Sequence, residues 1–328
     1  MGTTQWMQAI QVHHFGGPAQ LELVEIPRPE PQAGEVLVRV YAAGVLPADA
    51  ATRRGSFLAK TLPYIPGTAF AGVIEAVGAN VTNFSVGDAI CGRAPNGSYA
   101  EYTTVLVNAP HPPAGATTQQ LAALIIPLAL KPKTSSFAEA ATLSGGATTA
   151  WAALFEDGGL QPGQRALIHG AAGGVGSFAV QFARWKGAHV IGTASSANVD
   201  FVRSLGVDTV IDYHTTPVEK VVDEVDFVLD TVGGETLQRS LRLVKRGGTL
   251  VSIVEVPSAA LAAALGIHAI KNAALPNSAQ LRQIVALIDE GHVTPVIRRR
   301  FPLREARQAH ELVETGHGQG RIILDIAP

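Results

Sequence analysis

Short apolar runs separated by Gly and Pro characterise the chain from Ala9 to about Gly92. Alternation of this kind, bounded by turn residues, is typical of β-strands. The pattern predicts strands over residues 21–26, 36–42, 70–77 and 88–91. We therefore expect a β-rich domain in the first part of the chain.

A different pattern follows between about Phe137 and Leu287, where apolar runs alternate with stretches of helical periodicity. Alternation of strands and helices favours a doubly wound parallel sheet, here of six strands. The predicted elements are strand 165–169, helix 176–186, strand 189–192, helix 198–205, strand 209–211, strand 227–229, helix 235–243 and strand 249–254.

The last part of the chain is too small to fold alone. Its pattern predicts a strand over 296–301, a helix over 303–315 and a strand over 321–326. We expect these elements to return to the β-rich domain. The prediction is therefore an α/β protein in which residues 136–293 are inserted into a domain formed by residues 1–135 and 294–328.

Residues 108–126 fit neither domain. They are rich in Pro and Ala, with a possible apolar helix over 118–126. A lid, a surface for a partner and a tolerated surface insertion are the interpretations left open.

Composition and charge exclude several classes of protein. The 328 residues are 47% hydrophobic and carry a formal net charge of −2, so we expect no nucleic-acid partner. The most apolar stretch, 121–130, is too short to cross a membrane, and residues 1–10 lack the pattern of a signal peptide. Cys91 is the only cysteine, which fits a reducing compartment. The expectation is a cytoplasmic protein.

The strongest chemical signal is the turn Gly170-Ala-Ala-Gly-Gly-Val-Gly176, which lies between a predicted strand and a predicted helix. Ala171, Gly173 and Gly176 take the positions of a G-x-G-x-x-G motif, with Ala in place of the first Gly. Small residues there let the backbone and the helix N-terminus approach a pyrophosphate. We predict dinucleotide binding, and a purely structural tight turn is the alternative.

The end of the next strand indicates which dinucleotide is bound. An NAD site usually has Asp or Glu about 20 residues beyond the glycine motif, to hold the ribose 2′-hydroxyl. This chain has Thr193-Ala-Ser-Ser196 instead, with Tyr213 beyond the following strand. Hydroxyl groups can donate to a 2′-phosphate, so NADPH is predicted. Ser195 and Ser196 are also suited to cap the next helix.

Several further blocks match one known family together. They are Ile65-Pro-Gly-Thr-Ala-Phe-Ala-Gly-Val-Ile-Glu-Ala-Val-Gly78, Gly87-Asp88, Ser98-Tyr-Ala-Glu-Tyr102, Leu130-Lys-Pro-Lys133 and Asp230-Thr-Val-Gly-Gly234. With them the chain resembles the zinc-independent, zeta-crystallin-like quinone oxidoreductase branch of the medium-chain dehydrogenase/reductase superfamily. The resemblance covers nearly the whole chain, with residues 108–126 as the exception.

The resemblance implies a GroES-like substrate domain, a Rossmann domain, a cofactor in the cleft between them, and a homodimer. It also implies hydride transfer to a small activated acceptor such as a quinone or an enone. Thr149 should lie beside the nicotinamide, and the loop 252–254 should offer backbone groups to the carboxamide. The expected cofactor-contacting residues are Thr149, Ala172, Gly173, Gly174, Val175, Gly176, Thr193, Ser195, Ser196, Tyr213, Val232 and Ile253.

Zinc-dependent members of the superfamily have a cysteine near the position of Ala43 and Gly-His-Glu where this chain has Gly67-Thr-Ala69. A tetrahedral zinc site needs three or four ligands at fixed positions, which one distant cysteine does not supply. We therefore predict no metal.

The expected substrate cleft departs from the family at several positions. Leu46 replaces a common Asn, Ala51 replaces a tyrosine present in some relatives, and Ala69 replaces a common Asp. The cleft should therefore be less polar and more open than usual. Tyr64, just before the Ile65-Pro-Gly67 turn, is a candidate proton donor, with simple packing and proton transfer from water as the alternatives.

Three functions remain open from the sequence. The first is an NADPH-dependent reductase of a quinone, an enone or a related conjugated carbonyl. The second is a biosynthetic enzyme that uses the same scaffold for a cyclisation or an isomerisation. The third is a cofactor-binding protein without turnover that acts through residues 108–126.

Overall fold

The computed structural model describes residues 5–107 and 126–327. Its first part is built from short strands, as the alternating pattern predicts. They are β1 (Trp6–Gln11), β2 (Glu22–Pro27), β3 (Glu35–Val45), β4 (Ala69–Val77), β5 (Ala89–Arg93), β6 (Tyr102–Leu106) and β7 (Leu128–Leu130). The insertion predicted over 108–126 lies, except for Ile126, outside the described residues.

A parallel sheet of six strands forms the second part, as predicted. The strands are β8 (Arg165–Ile168), β9 (His189–Ala194), β10 (Thr209–Asp212), β11 (Val225–Asp230), β12 (Val244–Ser252) and β13 (His268–Lys271). Their order, β10-β9-β8-β11-β12-β13, reverses direction next to β8, and every pairing is parallel. The crevice at such a reversal is where open α/β sheets bind ligands.

Helices cover the parallel sheet and border the cleft. Their bounds are α1 (Pro47–Arg53), α2 (Phe137–Ala140), α3 (Thr148–Trp151), α4 (Gly176–Trp185), α5 (Val199–Ser204), α6 (Gly234–Ser240), α7 (Ala259–Leu265), α8 (Ser278–Asp289) and α9 (Ala306–Glu314). Phe182 of α4 packs edge-on against Trp151 of α3, with ring centroids 5.4 Å apart. This contact anchors the helix that follows the glycine turn.

The chain then returns to the first sheet through β14 (Ile297–Pro302) and β15 (Arg321–Asp325). β15 pairs antiparallel with β3, and Leu324 lies opposite Ala43. The larger sheet therefore has the order β14-β15-β3-β4-β5-β7, with β6 also paired to β3. This return brings the start of β15 beside the glycine turn, where Gly173 and Gly320 form an isolated bridge.

Among residues 5–107 and 126–327, every helix is too short or too polar to cross a bilayer.

Candidate active site

The glycine turn lies between β8 and α4, at the carboxyl edge of the parallel sheet. Gly170 adopts a φ of +64°, a conformation that side chains disfavour. A Cβ on Gly176 would lie 2.1 Å from the Gly170 carbonyl oxygen, so only glycine fits there. A Cβ on Gly173 would meet only that same oxygen, at 3.3 Å. The turn therefore has a backbone surface at Gly173 that an approaching group can reach.

Arg321, the first residue of β15, is buried against this turn. A Cβ on Gly174 would lie 2.5 Å from its Nε, and its guanidinium also donates to the Gly145 carbonyl. Nε has no hydrogen-bond partner among the described residues. Burial lowers the pKa of Arg321 to about 10, partly offset by Asp49, so the side chain stays charged at neutral pH.

The Nε–H of Arg321 is a charged donor beside the glycine turn and the start of α4, where it can donate to a diphosphate. The donors present therefore fit a dinucleotide, with Ala172, Gly173, Gly174, Val175 and Gly176 supplying the turn. The sequence analysis did not identify Arg321 as part of this site.

The residues expected at the adenosine end lie together at the ends of β9 and β10. The Thr193 hydroxyl is buried and accepts a hydrogen bond from the Gly170 N–H at 3.2 Å, so it holds the turn together. Ser195 accepts from the Asn198 amide at 3.0 Å and makes no side-chain capping bond, contrary to the helix-capping alternative. Tyr213 is 45% exposed.

A carboxylate from the neighbouring strand also reaches this end. Asp212 ends β10, and a hydrogen bond from Ser196 is the main cause of its lowered pKa. The sequence analysis searched only the end of β9 for an acidic residue, and it therefore missed Asp212. Register explains the proximity, because Asp212 lies directly opposite Ala194 of β9.

Asp230 organises the loops that carry Val232 and Ile253. Its side chain accepts from the Val232 N–H at 3.0 Å and from the Ser252 hydroxyl at 2.7 Å. The Ile253 N–H donates to the Asp230 carbonyl at 3.0 Å. The two loops are thereby held at one edge of the sheet, next to each other.

A cavity of about 290 Å³ opens between the two parts of the molecule. Thr149 lines it from the Rossmann side, and Leu46 and Tyr64 line it from the β-rich side. Ala51 and Ala69 are not among its lining residues, and Ala69 is fully buried in β4. A Cβ on Gly145 would lie 2.8 Å from Leu46 Cδ1, so the Leu46 side chain packs closely against Gly145 in the cavity wall.

Asp49 lines the same cavity and is the third residue that the sequence analysis did not select. It ends the Leu46-Pro-Ala-Asp49 segment, in which its carboxylate accepts from the Leu46 N–H at 2.9 Å. Burial raises the pKa of Asp49 to about 7, against the opposing effects of that hydrogen bond and of Arg321. A carboxyl group with this pKa exchanges a proton near neutral pH.

Tyr64, the predicted proton donor, has a buried hydroxyl without a hydrogen-bond partner in the described part of the chain. Burial and the nearby Asp49 raise the pKa of Tyr64 to about 12. This makes its hydroxyl a weaker acid than that of an ordinary tyrosine, but a persistent hydrogen-bond donor.

Ala43 and the segment Gly67-Thr68-Ala69 stand where the family resemblance places the ligands of zinc-dependent members. In the described segments, no three His, Cys, Asp or Glu side chains are grouped as a metal site would require. Cys91 is buried in β5, and burial raises its pKa to about 12. A buried thiol of this kind is a poor metal ligand.

Family models match two segments of the chain. A model described as alcohol dehydrogenase GroES-like domain matches residues 32–112, and one described as zinc-binding dehydrogenase matches residues 205–324. The GroES-like and Rossmann parts predicted from the sequence are thereby confirmed.

Whole-chain relatives support the same assignment. A quinone oxidoreductase of Mus musculus is 33% identical and aligns over 97% of both chains. An NADPH-dependent alkenal/one oxidoreductase of Arabidopsis thaliana is 32% identical over 97% of this chain and 79% of its own. The solved quinone oxidoreductase from Coxiella burnetii superimposes with a TM-score of 0.85 at 33% identity, covering 98% of this chain and 100% of that one. The chain is thus an oxidoreductase of the nicotinamide-dependent type, and it belongs to the quinone oxidoreductase branch of the medium-chain dehydrogenase/reductase superfamily.

Proposed function

We propose that this protein is an NADPH-dependent, zinc-independent reductase of a quinone, an enone or a related conjugated carbonyl. The observation that carries the proposal is the cavity between the two domains, which brings Thr149 of the nucleotide side together with Asp49 of the substrate side. Relatives named as quinone and alkenal/one oxidoreductases support this reaction class.

The chain's own groups have distinct tasks in this mechanism. When bound, the reduced nicotinamide supplies a hydride to an electrophilic carbon. Arg321 and the turn 173–176 hold the diphosphate, while Thr149 and the loop 252–254 orient the ring and its carboxamide. Asp49 supplies the proton, directly or through a water molecule, because its pKa of about 7 lets it hold and release one near neutral pH.

The preference for NADPH rests on the end of β9. No carboxylate follows Gly192 before Asn198, where Ser195 and Ser196 stand, and Tyr213 follows β10, the strand paired with β9. Asp212 opposes this preference, because its charge lies where it repels a 2′-phosphate. We place NADPH ahead of NADH because the Asp212 carboxylate is partly exposed to solvent, which screens its charge, and already accepts a hydrogen bond from Ser196.

The test is NADPH oxidation with a panel of quinones and enones, followed by identification of the products. Saturable reduction of at least one class supports the proposal. Saturable NADPH binding without oxidation by any acceptor would favour the non-catalytic alternative. Conversion of an acceptor at constant NADPH would instead favour a cyclisation or an isomerisation.

Two further expectations belong to this proposal. We propose a homodimer, and β13 is a suitable contact because it is an edge strand of the parallel sheet. Light scattering on the purified protein tests this by its mass.

The single, buried cysteine leads us to place the protein in the cytoplasm. Cell fractionation tests that compartment.

A further inference from the structure

The substrate side of the cavity carries more positive than negative charge. Lys60, Arg93 and Asp49 are the charged residues among its described lining. With Asp49 ionised, the sum is one positive charge. Each cation is partly withdrawn from water, which lowers the pKa of both Lys60 and Arg93. Attraction to Asp49 opposes part of this lowering, and with Asp49 ionised the described lining remains net positive, which favours an anionic ligand.

Lys60 and Tyr64 lie next to each other in this wall. The Lys60 ammonium is 5.9 Å from the centre of the Tyr64 ring and donates to the Pro95 carbonyl at 3.2 Å. An ammonium has three N–H donors, so this bond leaves capacity for a further acceptor. The buried Tyr64 hydroxyl has no partner in the described segments. Both residues line the cavity, and the Tyr64 hydroxyl donates to none of the described groups.

We propose that Lys60, Arg93 and Tyr64 form a binding site for a carboxylate carried by the substrate. This inference rests on the proposed reductase function and names the class of acceptor, a small conjugated carbonyl compound with a carboxylate. Lysine and arginine supply charge, and the tyrosine supplies a neutral donor. While Asp49 is ionised, a single carboxylate balances the charge of the described lining, whereas a phosphate ester, with close to two negative charges, exceeds it.

The rest of the cavity suits the carbon skeleton of such an acceptor. Its apolar lining residues include Leu46, Phe57, Leu58, Ile65, Pro127 and Leu275. Reduction breaks the π component of the carbon–carbon double bond. One C–H bond forms from the hydride of NADPH at the carbon β to the ketone, and the other forms from a proton at the α carbon. NADPH is oxidised to NADP⁺.

The first experiment compares two acceptors that differ only in charge, 4-oxopent-2-enoate and its methyl ester. We expect kcat/KM for the carboxylate to exceed that for the ester by at least about tenfold, the effect of one charge-assisted hydrogen bond. Lys60→Met should bring this ratio towards one, and Lys60→Arg should largely restore it. Lys133→Met is the matched control, because Lys133 is exposed and lies outside the cavity lining, and it should leave the ratio unchanged.

The second experiment does not depend on turnover. Levulinate and methyl levulinate, the saturated counterparts of the two acceptors, are titrated calorimetrically into the protein loaded with NADP⁺. Tighter binding of levulinate, lost in Lys60→Met, supports the carboxylate site even if no acceptor is reduced. Equal binding of the two compounds by the unmodified protein overturns the inference. Stronger binding of inorganic phosphate than of levulinate overturns the choice of a carboxylate. If a neutral enone is reduced while these titrations show no preference, the reductase function stands and the inference fails.

Discussion

The Arg53 guanidinium donates a hydrogen bond to Nδ1 of His310 across 3.0 Å, in the interior of the first domain. Arginine can only donate, so Nδ1 carries no proton. Burial and the charges of Arg53 and Arg54 lower the pKa of His310 to about 3, which keeps the ring neutral with its proton on Nε2. Nε2 lies 3.1 Å from the Tyr99 hydroxyl, which in turn donates to Asp49 at 3.5 Å. The Arg53–His310 bond thus sets the direction of the hydrogen bonds that reach the cavity.

Asp49→Asn should lower kcat with the best acceptor by about 100-fold at pH 7, because general acid catalysis contributes on that scale. The pKa of Asp49 is about 7, so its carboxyl holds a proton below that pH and loses it above. In the unmodified protein the rate should therefore fall as the pH rises through 7. The variant should lack this decline when kcat is measured from pH 5.5 to 8.5 at saturating NADPH.

Asp88→Asn is a suitable control for that experiment, because Asp88 is outside the cavity lining and its side chain accepts from the Ser85 N–H in a surface turn. It should keep both the rate and the pH profile. An Asp49→Asn variant with the original pH profile would assign proton transfer to another group or to water.

Gly173→Val should abolish dinucleotide binding while leaving the protein folded. Gly173 has space for a side chain, with the Gly170 carbonyl oxygen at 3.3 Å as its nearest contact, but that side chain would occupy the surface where the diphosphate is expected. Fluorescence titration with NADPH measures the loss, and circular dichroism checks the fold.

Gly187→Ala provides the comparison for the glycine turn. Gly187 has a φ of +87° between α4 and β9, so alanine strains the backbone and lowers the melting temperature. Its affinity for NADPH should be close to that of the unmodified protein. Unchanged NADPH binding by Gly173→Val would place the dinucleotide elsewhere.

NADPH should bind at least about tenfold more tightly than NADH, because one charge-assisted bond to the 2′-phosphate is worth ~1.5 kcal/mol. Ser195→Asp should reverse this order by adding a carboxylate at the end of β9. Asp212→Asn should strengthen the preference for NADPH, because it removes the charge beside Ser196. Dissociation constants for both cofactors measure each effect. Equal affinities in the unmodified protein would contradict the predicted preference.

Activity and folding should survive exhaustive treatment with EDTA. Thr68 and Ala69 occupy positions at which the family resemblance places zinc ligands, and neither is Cys, His, Asp or Glu, the residues that bind zinc in proteins. Elemental analysis before and after dialysis, with assays on the same samples, provides the measurement. Stoichiometric zinc that leaves together with activity would show the prediction to be wrong.

The sequence by itself determined the elements and their class. Strands β2 to β5 follow from alternation between neighbours, and the turn 170–176 follows from small residues between an apolar strand and an amphipathic helix. These patterns act over a few residues, so they are visible along the chain. The order of strands and helices predicted a parallel sheet of six strands, although only five of them were located along the chain and β13 was not.

Only the tertiary structure decided which polar groups meet in the site. Arg321 reaches Gly174 because β15 pairs with β3. Asp212 reaches Ser196 because β10 lies beside β9. Lys60 and Arg93 line the same cavity because two segments that are separate along the chain converge there. The raised pKa of Asp49 arises from burial among residues distant along the chain. Burial and electrostatic interaction depend on distance in space, which local sequence patterns do not encode.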